Sequence, residues 1–403
     1  MGERARGPSR TAAVTSLGVV TAFGAGVEAF WKGVLGGRSA IAPVTRFPVS
    51  PYRSGVAAEI PAGDLAPESD RLATPSTSAM RLAFAAARKT VERERLPVAP
   101  ERFGLVVGTT MGGNGEFIDW VRSGTAPSTR RSDATLFSVA SALAAEIGAR
   151  GPVLTVSAAC ASGTLAVGIG ADLIRRGECD AVLAGGFDVL SEFVFAGFDS
   201  LRALSSSASR PFDRRRDGLT LGEGAAFLLL EERAGVEERG RAPLAIVRGY
   251  GSAADAHHMT RPSPSGEGLA RAVSSALADA SIGPEEIGFV STHGTGTVFN
   301  DRMEACAFRS LFGERAARLP ANSIKGAVGH TLGAAGAIEA LLCALVLERG
   351  VIPPTAGLEE PDPLCPLDVV GGSPRPLPDS VRYVLSTSSA FAGTNAALVL
   401  ERP

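Results

Sequence analysis

VSAACASGT, residues 156–164, places one thiol among small side chains between two regular elements. The residues just before it, VLTV at 153–156, predict a buried strand. The residues from 162 onward carry the apolar spacing of a helix. Cys160 therefore lies in a tight strand-to-helix turn, where the positive end of the helix dipole favours a thiolate and thus a nucleophile. A buried structural cysteine is the alternative that this stretch alone leaves open.

The bulk composition narrows the class of protein. The chain has 403 residues, of which 45% are hydrophobic, enough for two or three domains or for one large α/β unit. Its 40 basic residues nearly balance its 42 acidic ones, so we expect neither a nucleic-acid partner nor a membrane surface. The five cysteines are scattered without a CxxC pair, which favours reduced thiols in the cytoplasm over a disulfide frame or a zinc site.

The order of predicted elements indicates the fold class. Predicted strands and helices alternate along the whole chain, which is typical of an α/β protein. The charged segment EERAGVEERGRAP at 231–243 predicts a boundary between two halves, 1–240 and 241–403. SAACASGT at 157–164 and SSAFAGTN at 388–395 are similar short runs of small residues after predicted strands. This echo favours two halves of one design.

Two histidines and a lysine join Cys160 as candidates for chemistry. His293 lies in HGTGT and His330 in GHTLGAAG, both glycine-rich turns, and Lys325 lies five residues before His330. A cysteine with a histidine is the usual basis of an activated thiol, although either histidine alone could be structural. A metal site is the rival hypothesis, but the adjacent His257 and His258 and the remaining spacings fit no standard zinc pattern, so we predict none.

At this point the motifs resemble a known family. VSAACASGT, STHGTGT, NSIKGAVGHTLGAAG and AFAGTN occur in the order and spacing of the β-ketoacyl-acyl-carrier-protein synthases, in the elongating branch that includes type II polyketide ketosynthases. RPFDRRRDGLTLGEGAA and DAHHMTRPSP are similar to that branch as well. The resemblance covers essentially the whole chain. It implies the thiolase fold, two duplicated halves in a five-layered αβαβα sandwich, usually as a dimer.

The resemblance also implies roles for individual residues. Cys160 matches the nucleophile, His293 and His330 match the two histidines of a Cys-His-His triad, and Lys325 matches a lysine beside it. Phe391 matches a gating phenylalanine whose backbone N–H joins that of Cys160 in an oxyanion hole. The remaining matches are residues that support the site (Asp301, Glu304), contact pantetheine (Thr295, Thr297), line the acyl pocket (Met111, Leu136, Phe198) or meet the carrier protein (Arg130, Arg131, Arg202).

The function that the resemblance implies is decarboxylative Claisen condensation. An acyl chain on Cys160 would be extended by two carbons from malonyl-acyl carrier protein, in fatty acid or in polyketide or polyene biosynthesis, with no metal or redox cofactor. The expected partners are acyl- and malonyl-loaded carrier proteins and a second subunit, either identical or a chain-length-factor homologue. A non-catalytic partner subunit and an acyltransferase or thioesterase that uses the same cysteine are the alternatives.

The chain departs from the family pattern at two places that bear on the site. Its gate loop reads AFAGTN where the family usually has GFGGTN, so alanine replaces glycine at 390 and 392. Because alanine disfavours positive φ, we expect a stiffer or differently shaped loop. Asn300 stands where a glycine usually precedes the aspartate.

Overall fold

Strands of the first half alternate with helices that pack on them, as the sequence predicts. The computed structural model describes residues 10–64, 78–91, 96–113, 118, 121, 124 and 135–403. The strands of the first half are β1 (Ala12–Thr21), β2 (Gly24–Ala25), β3 (Ala42–Pro43), β4 (Val56–Ala57), β5 (Phe103–Gly108), β6 (Val153–Val156), β7 (Ala181–Asp188) and β8 (Gly224–Glu232). Its helices are α1 (Val27–Leu35), α2 (Ser78–Val91), α3 (Ser138–Ile147), α4 (Ser162–Arg175), α5 (Glu192–Ser200) and α6 (Arg233–Glu238).

The second half follows the same alternation. Its strands are β9 (Ala245–Ala254), β10 (Ile287–Ser291), β11 (Pro320–Asn322), β12 (Val351–Ile352), β13 (Asp368–Val369), β14 (Arg375–Pro376), β15 (Tyr383–Ser389) and β16 (Thr394–Glu401). Its helices are α7 (Glu267–Ala280), α8 (Val298–Phe312), α9 (Lys325–Val328) and α10 (Ala335–Arg349). Among the helices described, none combines the length and the apolar character that crossing a bilayer requires.

The two halves repeat one strand order. The first sheet runs β1-β8-β7-β5-β6 and the second runs β9-β16-β15-β10-β11, with β13 added at its edge. In each sheet the first three strands pair antiparallel and the last three pair parallel. The first residues of β1, Ala12 to Val14, pair antiparallel with Val247 to Ala245 of β9 and join the sheets edge to edge.

Alternating side chains on the strands separate the core into layers. Val106 on β5 faces the central helices, whereas its neighbours Leu105 and Val107 face α2 and α3. On β16, Leu398 faces the centre and Val399 faces α7 and α8. Because α4 and α10 lie together between the two sheets, the order of layers is helix, sheet, helix, sheet, helix. The predicted five-layered α/β sandwich of two duplicated halves is confirmed.

The echo between residues 157–164 and 388–395 is not the duplication. The first segment follows β6, the edge strand of its sheet, and the second follows β15, an inner strand. By strand order β6 corresponds to β11, and β15 corresponds to β7. Short runs of small residues occur wherever backbone packs closely. The two segments are therefore not equivalent parts of the repeated halves, although the halves themselves are repeated. The boundary at residue 240, between β8 and β9, stays a prediction.

Two glycines let the central helices touch at their first turns. A Cβ atom at Gly163 of α4 would lie 2.6 Å from the backbone nitrogen of Ala337, and one at Gly336 of α10 would lie 2.6 Å from that of Thr164. Carbon atoms do not approach nitrogen that closely without a shift, so both positions require glycine. This contact holds the turn that carries Cys160 in the first half against the loop before α10 in the second.

Candidate active site

The turn that carries Cys160 is fixed by one serine. The hydroxyl of Ser162 accepts a hydrogen bond from the backbone N–H of Ala158 at 2.8 Å and donates one to the carbonyl of Ala159 at 2.6 Å. Ala159 has a φ of 47°, a left-handed conformation that costs a non-glycine residue about 1 kcal/mol or more. The turn directs Cys160 inward, where its residue surface is 7% exposed.

His330 reaches Cys160 from the second half. The backbone of His330 is held on both sides, because its N–H donates to the carbonyl of Thr220 at 2.7 Å and its carbonyl accepts from Gly222 at 3.0 Å. Its Nε2 lies 3.0 Å from the Sγ of Cys160. The distance is within hydrogen-bond range for sulfur, so His330 is placed to take the thiol proton.

His293 completes a cluster around the thiol. It follows β10, and its ring is nearly perpendicular to that of His330, with centroids 5.2 Å apart at an angle of 84°. One ligand atom from each of Cys160, His293 and His330 lies within 4.8 Å of the others. The three residues that the sequence singled out are therefore together and buried.

Two buried carboxylates hold the turn after His293. Glu304 accepts the backbone N–H groups of His293 and Gly294, each at 2.7 Å. Asp301 accepts those of Thr295 at 3.2 Å and Gly296 at 3.3 Å. Burial, together with the neighbouring charge of Asp301, raises the pKa of Glu304 to about 8. The expected supporting position of this acidic pair agrees with the geometry, and its role stays a prediction.

Asn300, which sequence reasoning treated only as a departure, bridges that acidic pair. Its Nδ2 donates to Asp301 Oδ1 at 3.2 Å and to Glu304 Oε2 at 2.9 Å. An amide donor between two carboxylates offsets part of their repulsion in a buried place. A glycine at this position would lack that donor.

Lys325 has a buried partner that sequence reasoning missed. Its Nζ donates to the carbonyl of His293 and to Oε1 of Glu339, and both side chains are at most 2% exposed. Burial raises the pKa of Glu339 to about 7, against the pull of the Lys325 ammonium. The sequence does contain a signal for this partner, because Glu339 is the sole charged residue between 335 and 347, and a lone charge in an apolar stretch indicates a buried ion pair.

Burial sets the protonation of the triad. It raises the pKa of Cys160 to about 12, against the opposing effect of the Lys325 ammonium. It lowers the pKa of His293 and His330 well below 6.5, and the positive charge of Lys325 lowers both further. At neutral pH the resting site therefore holds a thiol and two neutral imidazoles. Burial of Cys160 therefore acts against the thiolate that a helix N-terminus favours.

A cavity of about 350 Å³ leads from the surface to Cys160. Of the predicted site residues, those that line it besides the triad are Phe198, Arg202, Thr295, Thr297 and Phe391. Thr295 and Thr297 are joined by a hydrogen bond of 2.9 Å between their hydroxyls. Arg202 is exposed at the entrance. Arg130 and Arg131 lie outside the described residues.

The three predicted acyl-pocket residues are not all on this cavity. Phe198 lines it, whereas Met111 and Leu136 are not among the described residues that do. Met111 packs, as Phe198 does, against an apolar cluster that contains Phe195 and Leu332. Leu136 lies beside Gly112. The acyl-pocket role of all three stays a prediction.

The loop that carries Phe391 has one strained residue. Ala392 has a φ of 64°, whereas Ala390 is extended with a φ of −120°. The Phe391 ring stacks on Phe198 with centroids 5.4 Å apart. The N–H of Ala392 donates to the carbonyl of Met259 at 2.6 Å. Of the two alanines that replace glycine, one therefore adopts the conformation that glycine favours.

The arrangement suits an acyl transfer more than a metal. A sulfur and two ring nitrogens within 4.8 Å could surround an ion. The Lys325 ammonium, however, acts on all three groups and would repel a cation there. A thiol beside a neutral imidazole at 3.0 Å, with a second imidazole in the same cavity, can form and then release a thioester.

Family models match both halves of the chain. The model described as beta-ketoacyl synthase, N-terminal domain, matches residues 9–235, and that described as beta-ketoacyl synthase, C-terminal domain, matches residues 244–359. The tetracenomycin polyketide synthase ketoacyl synthase alpha subunit of Streptomyces glaucescens is 41% identical, covering 97% of this chain and 96% of that protein. The 3-oxoacyl-[acyl-carrier-protein] synthase 2 of Coxiella burnetii is 35% identical over 98% of this chain and 99% of that protein.

Solved structures are similar over nearly the full length. The ishigamide ketosynthase/chain length factor structure has a TM-score of 0.90 at 35% identity, covering 98% of this chain and 100% of that one. The structure of AntDE with AntF, a type II polyketide synthase acyl-carrier protein in complex with its ketosynthase bound to the hexaketide, has a TM-score of 0.88 at 30% identity, with 98% and 100% covered.

Proposed function

This chain belongs to the β-ketoacyl synthase family, and from that premise we propose that it catalyses decarboxylative Claisen condensation on acyl carrier protein. An acyl chain on Cys160 would be extended by two carbons from malonyl-acyl carrier protein. The observation that carries the proposal is the 3.0 Å contact between Cys160 Sγ and His330 Nε2, with His293 beside it in one buried cavity.

In the first half-reaction Cys160 takes the acyl group. His330 accepts the thiol proton, the sulfur attacks the thioester carbonyl, and the carrier's pantetheine thiol leaves with the proton that His330 returns. We assign the oxyanion to the backbone N–H groups of Cys160 and Phe391. One such donor contributes roughly 3–4 kcal/mol to the transition state in other enzymes. Because the thiol is neutral at rest, transfer of its proton to His330 belongs to the barrier.

In the second half-reaction malonyl-carrier replaces the first carrier. The bond from the malonyl carbon to its carboxylate breaks, carbon dioxide leaves, and the electron pair forms an enolate. His293 and His330, both neutral, donate N–H groups to the enolate oxygen, His330 from the tautomer that carries its proton on Nε2 and not from the one that accepts the thiol proton. The enolate carbon then attacks the acyl carbonyl, and Cys160 departs as a thiolate, which takes a proton from solvent to restore the thiol. Loss of carbon dioxide drives this sequence, which needs no redox partner.

The surrounding residues have positioning roles in this proposal. Asp301 and Glu304 hold the His293 turn through backbone N–H groups, and Lys325 fixes the carbonyl of His293 while disfavouring imidazolium. Thr295 and Thr297 line the channel that the pantetheine arm would use. The acyl chain would run past Phe198 and Phe391 toward the apolar cluster that Met111 joins. Leu136 completes the proposed pocket.

The proposed partners are supported by the similar structures and by one partly exposed edge strand. The similar structures contain, by their descriptions, a chain length factor and an acyl-carrier protein with its ketosynthase. Here β6 is an edge strand whose Leu154 is 39% exposed, while β1, β5, β7 and β8 are almost wholly buried. We propose that a second subunit, identical or a chain-length-factor homologue, docks along β6. We favour a polyketide or polyene pathway over fatty acid elongation, in the cytoplasm.

The test is intact-protein mass after mixing the chain with acyl-loaded carrier proteins of several chain lengths. We expect a gain of one acyl group in the wild type and in Cys306→Ala, which removes an exposed cysteine far along the chain, and no gain in Cys160→Ala. Addition of malonyl-carrier should then release the β-ketoacyl product. Loading of Cys160 without condensation would indicate an acyltransferase or thioesterase. An unloaded wild type with every carrier would favour a non-catalytic partner subunit.

A further inference from the structure

Asp188 is a buried carboxylate that the proposed mechanism does not use. It ends β7 and has no exposed surface. Its Oδ1 accepts the hydroxyl of Thr109 at 2.8 Å and the backbone N–H of Met111 at 3.0 Å. Its Oδ2 accepts the backbone N–H groups of Thr110 at 2.8 Å and of Gly333 at 2.7 Å. The carboxylate therefore joins the segment after β5 to a loop of the second half, through hydrogen bonds to a charged acceptor.

The second-half loop that Asp188 holds contains a strained residue. Leu332 has a φ of 53° and is 2% exposed. A bulky residue keeps this left-handed conformation only where its surroundings hold it there. A Cβ atom at the next residue, Gly333, would lie 2.7 Å from Asp188 Oδ2 and 2.7 Å from the backbone nitrogen of Thr110. The bond from the Gly333 N–H to Asp188 is thus one of the contacts that keep Leu332 in place.

Both segments that Asp188 joins supply a side chain to one apolar cluster. Leu332 belongs to this cluster, and Met111 and Phe198 pack against it. Phe198 also lines the cavity that leads to Cys160. In the proposed function the acyl chain runs past Phe198 toward the cluster. A chain long enough to reach it would therefore meet Met111 and Leu332, the two side chains whose backbone Asp188 fixes.

His330 has backbone partners of its own. Its N–H donates to the carbonyl of Thr220, and its carbonyl accepts from the N–H of Gly222. Neither bond involves Asp188 or a residue that donates to it. Loss of the Asp188 charge should therefore loosen the end of the acyl pocket and leave the contact between His330 and Cys160 in place.

We propose that Asp188 is a positioning residue that sets the selectivity of the site for acyl-chain length, by fixing Met111 and Leu332 at the end of the acyl pocket. The inference rests on the proposed function, because it requires an acyl chain on Cys160. Asp188 does not touch the reacting atoms and acts through those two side chains. A carboxylate that served stability alone would make no distinction between short and long acyl chains.

The experiment measures the second-order rate of Cys160 acylation by carrier proteins loaded with acetyl, hexanoyl or dodecanoyl groups. Asp188→Asn keeps the shape but puts an amide NH2 where an acceptor was, so at least one backbone N–H loses its partner. We expect the ratio of the fastest to the slowest of the three rates to fall roughly tenfold, with the acetyl rate within about twofold of the wild type.

A second variant covers the case in which Asp188→Asn does not fold. Thr109→Val removes the hydroxyl that donates to Asp188 and accepts the backbone N–H of Gly112 at 2.9 Å. It should narrow the chain-length profile in the same direction by a smaller factor. In a Met111→Ala background, Asp188→Asn should narrow the profile less than it does in the wild type, because the two changes loosen the same wall.

Asp213→Asn is the matched control. Asp213 is also fully buried, and it accepts the backbone N–H groups of Glu359 at 2.8 Å and of Glu360 at 2.7 Å. It is not among the described residues that line the cavity at Cys160. We expect its loss to lower the midpoint of chemical denaturation and to leave the chain-length profile unchanged.

Four results would overturn the inference. Equal losses at every chain length, acetyl included, would make Asp188 purely structural. An unchanged profile in Asp188→Asn, or in Thr109→Val where the former does not fold, would leave the carboxylate without a role in selectivity. The same narrowing in Asp213→Asn, or full additivity with Met111→Ala, would show that Asp188 does not act through the pocket wall. Failure of the proposed function is distinct, because the wild type would then acylate Cys160 at no chain length.

Discussion

The loops after β6 and after β11 occupy the same place in the two repeated sheets but differ in their surroundings and in the residues they carry. The loop after β6 carries Cys160 next to a half-exposed edge strand. In the second half β11 is covered by β13, and every residue from 321 to 347, including Lys325 and His330, is buried. The repeated sheets act as a frame, and the difference lies in what each loop contributes. In the proposed mechanism the first half would supply the sulfur that forms the bond, and the second would supply the histidines that move its proton.

The two loops meet because α4 and α10 touch at glycine. The strongest test of the comparison is to force these helices apart with Gly336→Ala, whose Cβ would lie 2.6 Å from the Thr164 nitrogen. We expect a loss of about 2–3 kcal/mol in the free energy of unfolding, as for other overpacked cores. Because the contact also sets the distance from Cys160 to His330, acylation should slow roughly 10²-fold. Chemical denaturation and acylation kinetics measure the two effects.

Gly197→Ala is the matched control for that experiment. A Cβ at this position in α5 meets nothing within 4 Å. Alanine there should stabilise the chain by about 0.5–1 kcal/mol, with acylation unchanged. If Gly336→Ala left both stability and acylation unchanged, close packing of α4 on α10 would not be what holds Cys160 next to His330.

The electrostatic difference between the loops can be removed at Lys325. Its ammonium lowers the pKa of His293 and His330, so Lys325→Met should let both values rise. A histidine with a higher pKa is protonated at a higher pH and cannot accept the thiol proton there. The acid limb of the acylation rate should therefore move to higher pH, and the rate of Lys325→Met relative to the wild type should fall about severalfold as the pH is lowered through that limb.

Lys325→Arg is the control for this prediction, because it keeps the charge while it changes the shape. Its acid limb should stay near that of the wild type. Glu339 does not compensate in Lys325→Met, since loss of the ammonium raises its pKa further and keeps it neutral. An acid limb that does not move in Lys325→Met would mean that burial alone sets the histidines.

The smallest effect concerns the loop that carries Phe391 and lines the cavity at Cys160. Ala392→Gly relieves a φ of 64° and should stabilise the chain by about 1 kcal/mol. Ala390→Gly, two residues earlier in extended backbone, should destabilise it by about 0.5–1 kcal/mol. Opposite signs in denaturation midpoints are the expected result. The same sign for both would remove the strain at Ala392 as an explanation.

The sequence predicts that Cys160, His293 and His330 form one site, because each lies in a small-residue or glycine-rich turn after a strand. The α/β alternation and the five layers were predictable from the same signals and from the family pattern. The raised pKa of Cys160 was not predictable, because it depends chiefly on how much protein covers the thiol. The partner of Lys325 was missed because Glu339 is distant in sequence and lies in a segment interpreted only by its hydrophobicity.

The echo misled for a different reason. Residues 157–164 and 388–395 share small side chains, which report close backbone packing and not descent from one element. The true correspondence lies in strand order, which no eight-residue comparison contains. Met111 and Leu136 are assigned to the acyl pocket by the family pattern alone, and because neither is among the described residues that line the cavity at Cys160, their role stays a prediction.

The pairing of β1 has a consequence for how the chain is made. All ten residues of β1 are buried, and Ala12 pairs with Glu232 of β8 and Val247 of β9. A ribosome adding ~5–20 residues per second needs roughly 10–40 s to make the ~200 residues that separate this strand from its partners. During that interval a largely apolar strand is without β8 and β9, its two long-range partners. The nascent chain is thus most exposed to aggregation, and most in need of a chaperone, before the second half begins.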